Sequence, residues 1–188
     1  MNKFTFSALA AVAVAGSAFA SPATVVASKD FKQPAAPQFF KDTELAIDAF
    51  YSYTDAQHRN ALYFTDGNGG GVGVNYFCQR YFGVDVEGNW WKGNQPNKND
   101  KDVVSQATAN LIVRYPMEFT SFGVAPYLLG GGGVLFSGQN CGFSDVGAGV
   151  EFRVTPQVGI FSDWRWNFIT GGNRNDVSTT RAGIRFVF

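Results

Sequence analysis

Ionisable side chains recur at the polar positions of several alternating stretches of this chain, and they are its best candidates for chemistry. Carboxylates and guanidinium groups are nearly equal in number in this set. Such a set can conduct ions through a channel, or its members can neutralise one another as a salt-bridge network. Which of the two applies depends on the width of the space that the stretches enclose. The set comprises Asp48, Asp85, Glu87, Asp145, Glu151, Asp163, Arg114, Arg153, Arg165, Arg181 and Arg185.

Other reactive groups lack the partners that catalysis or metal binding requires. His58 is the single histidine of the chain, with no second histidine or cysteine cluster beside it. The segment from Asp66 begins like a calcium loop, but Gly70 and Phe77 occupy the positions of the third ligand and the bidentate glutamate. It also lacks the Gly-Lys-Ser/Thr of a phosphate loop, so a flexible connection is predicted there. The sequence therefore predicts no catalytic, cofactor-binding or metal-binding residue.

The cysteines and tryptophans are informative through their positions. Cys78 ends the second predicted strand, and Cys141 lies in a loop on the opposite rim, which puts the pair beyond the roughly 7 Å that a disulfide spans between Cα atoms. No disulfide is expected.

The pairs Trp90-Trp91 and Trp164-x-Trp166 would suit either sugar stacking or an aromatic belt at a membrane interface, and the belt is the favoured interpretation.

Strict alternation of apolar and polar residues, the period of a β-strand, is the main structural signal. In the last hairpin, apolar side chains occupy most even positions of 158–168, and the alternation resumes after the turn cluster 171–176. The same unit recurs along the chain, although glycines at 130–133 leave the phase of the fifth strand open. Long connections alternate with tight turns. The predicted strands are 42–54, 72–78, 82–91, 106–115, 122–135, 143–154, 158–168 and 179–188.

Three features favour a membrane barrel over a soluble sandwich or a lipocalin-like soluble barrel. The polar positions include many glycines, which suit a narrow closed lumen. Aromatic residues collect at both ends of the strands, as membrane interfaces select. The strand count is even, and one rim has long loops while the other has short turns. We therefore predict an all-β fold, an eight-stranded antiparallel up-and-down transmembrane β-barrel over 42–188, whose filled lumen makes the ionisable set pair with itself.

The first 20 residues have the pattern of a secretory signal peptide, with Lys3 at the start and a small-x-small cleavage site at Ala18-Phe19-Ala20. Residues 21–41 contain prolines and no periodicity, which predicts an irregular periplasmic leader. Its end, Phe39-Phe40, is expected to pack under the barrel floor. The 15 basic and 15 acidic residues balance, so net charge gives no indication of a nucleic-acid partner.

Two motifs resemble those of a known family. Residues 126–132, Pro-Tyr-Leu-Leu-Gly-Gly-Gly, resemble its Pro-Tyr-x-x-x-Gly-x-Gly strand, and the ending Arg185-Phe186-Val187-Phe188 resembles its C-terminal aromatic signal. With the eight-strand pattern, the chain over 42–188 resembles the OmpA-like and OmpX-like transmembrane domains, the eight-stranded outer-membrane β-barrels. The resemblance implies a monomer in the bacterial outer membrane. Both termini are expected in the periplasm, because eight crossings return the chain to the side from which it entered. It also implies contact with outer-membrane lipids and lipopolysaccharide, and with the barrel-assembly machinery.

The function expected from this resemblance is a structural or surface-interaction, adhesion-like role through the long extracellular loops. Nothing follows the barrel in this chain that corresponds to the peptidoglycan-binding domain of full-length OmpA, so cell-wall anchoring is not expected. A barrel-embedded lipid-modifying enzyme is the alternative, although the His-x-Ser of lipid A deacylases is absent. A small-solute pore is a further alternative that a filled lumen disfavours. No enzyme activity and no cofactor are predicted, and the sequence does not identify a loop ligand.

Charge also predicts the register of the last hairpin. One possible register places Arg165 opposite Arg181, a destabilising like-charge pair. The favoured register places Asp163 opposite Arg185. On the other side of the same strand, a three-residue turn over 154–156 predicts Asp145 opposite Arg165. That second register also places Phe161 over Gly149.

Overall fold

The computed structural model describes residues 38–56, 66–94, 101–136, 140–170 and 176–188. The predicted signal peptide, most of the predicted leader and His58 lie outside these residues. Within the described part of the chain, there is no helix long and apolar enough to cross a membrane.

Eight long strands pair in sequence order and close into an antiparallel barrel. Each strand pairs with the next along the chain, and the last pairs with the first. Closure satisfies the backbone groups that an open sheet leaves unpaired at its edges. The predicted eight-stranded up-and-down barrel is thereby confirmed. The strands are β1 (Glu44–Ala56), β2 (Gly67–Gln79), β3 (Phe82–Asn94), β4 (Lys101–Arg114), β5 (Gly123–Phe136), β6 (Cys141–Thr155), β7 (Val158–Ile169) and β8 (Val177–Val187).

β2 and β4 extend further toward the long-loop end than predicted. Residues 67–71, predicted as part of a flexible connection, belong to β2 and pair with both β1 and β3. β4 begins at Lys101, five residues before its predicted start at 106. Glycines conceal the β2 extension in the sequence, because without side chains they produce no alternation. In the barrel they make room, since a Cβ on Gly71 would lie 2.5 Å from the ring of Phe50.

Inward-facing glycines lie beside large inward-facing side chains of neighbouring strands. A Cβ on Gly83 would lie 2.6 Å from the ring of Phe77, and a Cβ on Gly149 would lie 2.6 Å from the ring of Tyr127. The lumen is too narrow for two large side chains side by side. A glycine beside each large side chain therefore allows the lumen to be filled without a clash. The predicted purpose of the glycines at polar positions is therefore confirmed.

The phase of β5, which the sequence left open, follows the odd-numbered residues. Ala125, Tyr127 and Leu129 are buried in the lumen, whereas Pro126 and Leu128 are exposed on the outer surface. The inward position of Tyr127 allows its hydroxyl to reach charged groups of the lumen.

Phe39 and Phe40 occupy the short-turn end of the lumen, as predicted. Both are buried. The ring of Phe40 contacts two guanidinium groups, whose carbons are 4.9 Å (Arg114) and 4.2 Å (Arg153) from the ring centroid. β5 begins with Gly123, where a Cβ would lie 2.7 Å from the same ring. The floor of the barrel is thus built from the segment before β1 together with the lumen arginines.

The predicted register of β7 and β8 is wrong. Asp163 lies opposite Arg181, and Arg185 lies opposite Gly159. The prediction considered only the two registers nearest the centre of the predicted turn cluster 171–176. The observed register is displaced from the nearer of these two by one same-face position, and pairing between β7 and β8 ends at Asn167 and Val177. The observed register brings opposite charges together at Asp163 and avoids the like-charge pair.

The predicted register of β6 and β7 is also wrong. Asp145 lies opposite Asn167, and Asp163 lies opposite Gly149. The strands are joined by a two-residue turn, because Thr155 pairs with Val158 and its hydroxyl accepts a hydrogen bond from the Val158 amide at 3.0 Å. An irregularity between Arg153 and Thr155 absorbs the extra residue as a β-bulge. Each residue of β6 therefore lies opposite a β7 residue two positions away from its predicted partner, and both face the same side of the sheet.

The two cysteines are free, as predicted. Cys78 lies near the end of β2 at the short-turn rim, and Cys141 begins β6 at the opposite rim. Strands of this length separate the rims by far more than a disulfide can span.

Candidate functional site

The predicted ionisable set lies inside the barrel, where all of its members are buried. They form two groups that differ in height along the barrel. We call the first the lower charge cluster, since its members lie toward the short-turn ends of the strands. It contains Glu44, Asp48, Glu151, Arg114, Arg153 and Arg185. The second, the central charge cluster, contains Asp85, Glu87, Asp145, Asp163, Arg165 and Arg181.

Glu151 is at the centre of the lower charge cluster and is fully buried. It accepts hydrogen bonds from Arg153 Nε at 2.5 Å and from Arg185 Nη1 at 2.6 Å. Arg185 also donates to both oxygens of Asp48, at 2.8 and 2.7 Å. Asn75 donates a further hydrogen bond to Asp48 at 2.8 Å. The bidentate geometry and these added donors compensate the buried charges for their lost hydration.

Glu44 belongs to this cluster although it is not among the predicted inward charges. Its carboxylate accepts a hydrogen bond from Arg114 Nη2 at 2.6 Å and two from Arg153 at 2.9 Å each. Arg153 also donates to the carbonyl oxygen of Phe39, so the floor segment is tied to the cluster. Glu44 is the first residue of β1, and its even spacing from Asp48 places both on one face. This spacing is the sequence feature from which the inward position of Glu44 could have been predicted.

Two arginines organise the central charge cluster. Arg181 donates to both oxygens of Asp163, at 2.8 and 2.6 Å, and also to Glu87. Arg165 donates to both oxygens of Glu87, at 2.8 and 3.1 Å, and to Asp163 at 3.3 Å. The hydroxyl of Tyr127 donates to Asp163 at 2.8 Å. Glu87 and Asp163 thus share both arginines.

Asp85 and Asp145 are held less closely than the other two carboxylates of the central cluster. Each lies 3.6 Å from a terminal nitrogen of Arg165, a separation at which an ion pair exists but a hydrogen bond does not. Asp85 accepts a hydrogen bond from Asn110 Nδ2 at 3.1 Å. No side chain among the described residues donates a hydrogen bond to Asp145.

An apolar cap lies above the charges, at the long-loop end of the lumen. Trp91 is among its buried members, contrary to the prediction that it belongs to an interface belt with Trp90. Neighbouring residues of a strand point to opposite faces, so only Trp90 reaches the outer surface, where it is 46% exposed. The cap consists of Trp91, Val104, Leu135 and Phe143.

Aromatic residues ring the outer surface near both rims, as predicted. Valine, leucine and isoleucine occupy the outward positions between them, and many of these side chains are about half exposed. A band of apolar side chains between two aromatic girdles is what a bilayer and its two interfaces select. The predicted girdle residues are Tyr51, Tyr53, Trp90, Trp164, Trp166 and Phe168 toward the long-loop rim, and Tyr76, Phe82, Tyr115, Phe152, Phe186 and Phe188 toward the other.

No protein-family model matches the chain, and no curated protein matches its sequence. The structure is similar to solved barrels. Neisserial surface protein A is 18% identical with a TM-score of 0.51, over 80% of this chain and 98% of that one. Ail, the attachment invasion locus protein of Yersinia pestis, is 16% identical with a TM-score of 0.52, over 78% of this chain and 99% of that one.

A de novo designed transmembrane β-barrel is similar to the same extent. It is 16% identical with a TM-score of 0.55, over 79% of this chain and 98% of that one. At such identities the likeness establishes the fold, which is that of eight-stranded outer-membrane β-barrels. A designed barrel shares this fold, so architecture alone does not assign an activity.

Proposed function

We propose that this chain is a monomeric, integral outer-membrane barrel with a structural or surface-interaction role, and that its lumen is not an open pore. The connections at the long-loop end are the parts that contact lipopolysaccharide, other cells or host molecules. The apolar outer band and its two girdles support the membrane location. The floor segment and Phe188 lie at the same end of the barrel, where the Phe188 amide donates to the Leu45 carbonyl oxygen at 2.8 Å. That placement supports two periplasmic termini.

The filled lumen is the observation that carries this proposal. Several of its ion pairs join strands three or four places apart around the barrel, so the charged side chains occupy the space that an ion path would need. Phe40 lies below them, and the apolar cap lies above them. An eight-stranded barrel has an interior just wide enough for side chains to fill. A channel would require this network to open.

In a planar bilayer, the purified barrel is therefore expected to give at most small and rare conductance events. A large-pore porin reconstituted in the same way serves as the positive control, and detergent without protein serves as the blank. Stable, large and reproducible channels would contradict the proposal, because they would require a continuous water path through the charge clusters.

The surface-interaction role predicts binding that depends on the long connections. The intact barrel in nanodiscs should bind to a bacterial or host cell surface, or to vesicles containing lipopolysaccharide. A matched barrel whose connections 57–65, 95–100 and 171–175 are replaced by short turns should lose that binding while keeping its heat-modifiable gel mobility. Equal binding by both forms would contradict a role for these connections. The attachment function in Ail's name makes cell attachment the first assay.

A further inference from the structure

The two charge clusters of the lumen differ in their balance of charge. The lower charge cluster pairs three carboxyl groups with three guanidinium groups. The central charge cluster has four carboxyl groups and only two guanidinium groups among the described residues. If all four carboxyl groups were ionised, two negative charges would remain uncompensated in a buried space, which is strongly destabilising. A buried carboxyl group avoids this cost by binding a proton.

The two arginines of the central charge cluster are committed to two of its four carboxyl groups. Every hydrogen bond that Arg165 donates within the cluster goes to Glu87 or Asp163. The hydrogen bonds of Arg181 go to the same two carboxylates. Two guanidinium groups and two carboxylates are neutral together. Asp85 and Asp145 are therefore left without a counter-charge of their own.

Asp85 lies against another carboxyl group. It is two positions from Glu87 on the same face of β3, and the two side chains are within hydrogen-bonding distance of each other. Ionised carboxylates can only accept, so a hydrogen bond between the two requires a proton on one of them. Glu87 already accepts hydrogen bonds from both arginines, which favours its ionised form. The proton of this pair therefore belongs to Asp85.

Asp145 is buried beside another acceptor. Its side chain is completely buried, and no side chain among the described residues donates a hydrogen bond to it. Asn167 lies directly opposite on β7, and its Oδ1 atom is likewise without a donor in the described part of the chain. The nitrogen of Asn167 donates instead to Thr179 Oγ1, at 3.3 Å. A carboxylate opposite an amide oxygen gives two acceptors and no donor, whereas a carboxylic acid supplies the missing donor.

The same three charged groups face Asp85 and Asp145. They are Glu87 on β3, Arg165 on β7 and Arg181 on β8. Arg165 approaches each of the two aspartates only to 3.6 Å. The residues paired with the two aspartates on adjacent strands are uncharged, namely Asn75, Asn110, Gly131 and Asn167. Both arginines are already neutralised by the carboxylates that they bind, so neither aspartate has a cation of its own.

We propose that Asp85 and Asp145 each carry a proton at neutral pH, and that these two protons make the central charge cluster a pH-sensitive lock on the lumen. The folded barrel then holds two protons that the unfolded chain releases above about pH 4. The stability that they contribute is fully present below that pH and is lost as the pH rises, until the folded barrel releases them as well. Two uncompensated charges then remain in the cluster, and the packing that closes the lumen is weakened.

The pH dependence of unfolding measures the number of held protons. The chain from Ser21 is refolded from inclusion bodies into detergent, and urea titrations are run at fixed ionic strength between about pH 5.5 and 9, where exposed aspartate and glutamate are already ionised. Each held proton should raise the unfolding constant about tenfold per pH unit, so two should raise it about a hundredfold. The rise should level off once the folded barrel loses its protons.

Two neutral variants remove the protons one at a time. D85N and D145N keep the shape of a protonated aspartate, and each should reduce the rise to about tenfold per pH unit. Both should be about as stable as the unmodified barrel at the acidic end of the range and more stable at the alkaline end. If the two aspartates were instead ionised partners of Arg165, each variant would be less stable at every pH in the range.

E118Q is the matched control. It neutralises a carboxylate whose side chain is 26% exposed beside Arg80 at the short-turn rim, so it should keep the full rise. Any titration outside the central charge cluster contributes equally to the unmodified barrel and to the three variants.

Infrared spectroscopy detects the held protons directly and does not depend on reversible unfolding. With isotope-labelled aspartate, the unmodified barrel at neutral pH should show the carbonyl stretch of a protonated carboxyl group, and D85N and D145N should each lose part of it. An unfolding constant that does not rise with pH, a rise that either variant leaves unchanged, or absence of this band at neutral pH would overturn the proposal. Water or counter-ions from solution would then compensate the central charge cluster.

Discussion

Replacement of Arg185 with alanine is expected to lower the free energy of unfolding by about 3 to 5 kcal/mol, because it leaves buried carboxylates without their main partner. Arg185 donates to both oxygens of Asp48 and to Glu151, at distances between 2.6 and 2.8 Å. Asp48 would keep only the amide of Asn75 as a donor among the described residues. Urea titration of the refolded barrel, followed by the heat-modifiable gel band, measures the loss.

A partly exposed pair on the same barrel provides the matched control. Arg80 and Glu118 approach to 3.2 Å at the short-turn rim, with side chains 31% and 26% exposed. Arg80→Ala should cost only about 0 to 1 kcal/mol, since solvent screens such a pair. The backbone groups of Arg80 that bond to Asp42 and Arg114 are unchanged by this substitution. Similar losses in the two variants would show that burial does not determine the strength of the lumen pairs.

Replacement of Phe40 with alanine is the second substitution expected to have a large effect, at about 3 to 5 kcal/mol. The ring is fully buried and contacts the guanidinium groups of Arg114 and Arg153. Its removal leaves a cavity beneath the lower charge cluster. It also removes the ring faces on which both guanidinium groups lie. Urea titration measures the stability.

Phe82→Ala is the control for Phe40, since Phe82 is 50% exposed on the outer surface. The decrease in the free energy of unfolding caused by Phe82→Ala should be well below that caused by Phe40→Ala in the same detergent. Restoring the ring with tyrosine at position 40 adds a hydroxyl at a fully buried site and should recover only part of the stability. A Phe40→Ala barrel as stable as the unmodified one would mean that residues 38–43 do not hold the floor in solution.

The sequence was sufficient to predict the strands, because alternation with period two survives wherever side chains are present. It also identified most of the inward charges, since position within a strand decides which face a residue occupies. It failed at 67–71, where glycines produce no pattern. It failed again at Trp91, where two adjacent tryptophans were assigned to one belt although a strand sends neighbours to opposite faces.

The registers could not be derived from hairpin pairs alone, and the reason lies in the closed geometry. The prediction required Arg185 to find its carboxylate on the adjacent strand β7. In the barrel its partners are Asp48 on β1 and Glu151 on β6, and the second pair joins strands that are not adjacent. Across a narrow interior, side chains from strands that are not adjacent compete for the same ion pair. Turn length and the charges on two adjacent strands are therefore not sufficient to predict the register.

The pairing of β1 with β8 has a consequence for how the barrel is made. Contacts such as Asp48 with Arg185 join residues separated by 137 positions in the chain. Formation of that seam requires the whole polypeptide, and contacts of such long range form slowly. A chain that ends before β8 would present two unpaired strand edges, on β1 and β7, that can bind other chains. Incomplete translation products of this protein should therefore be prone to aggregation until a chaperone or protease removes them.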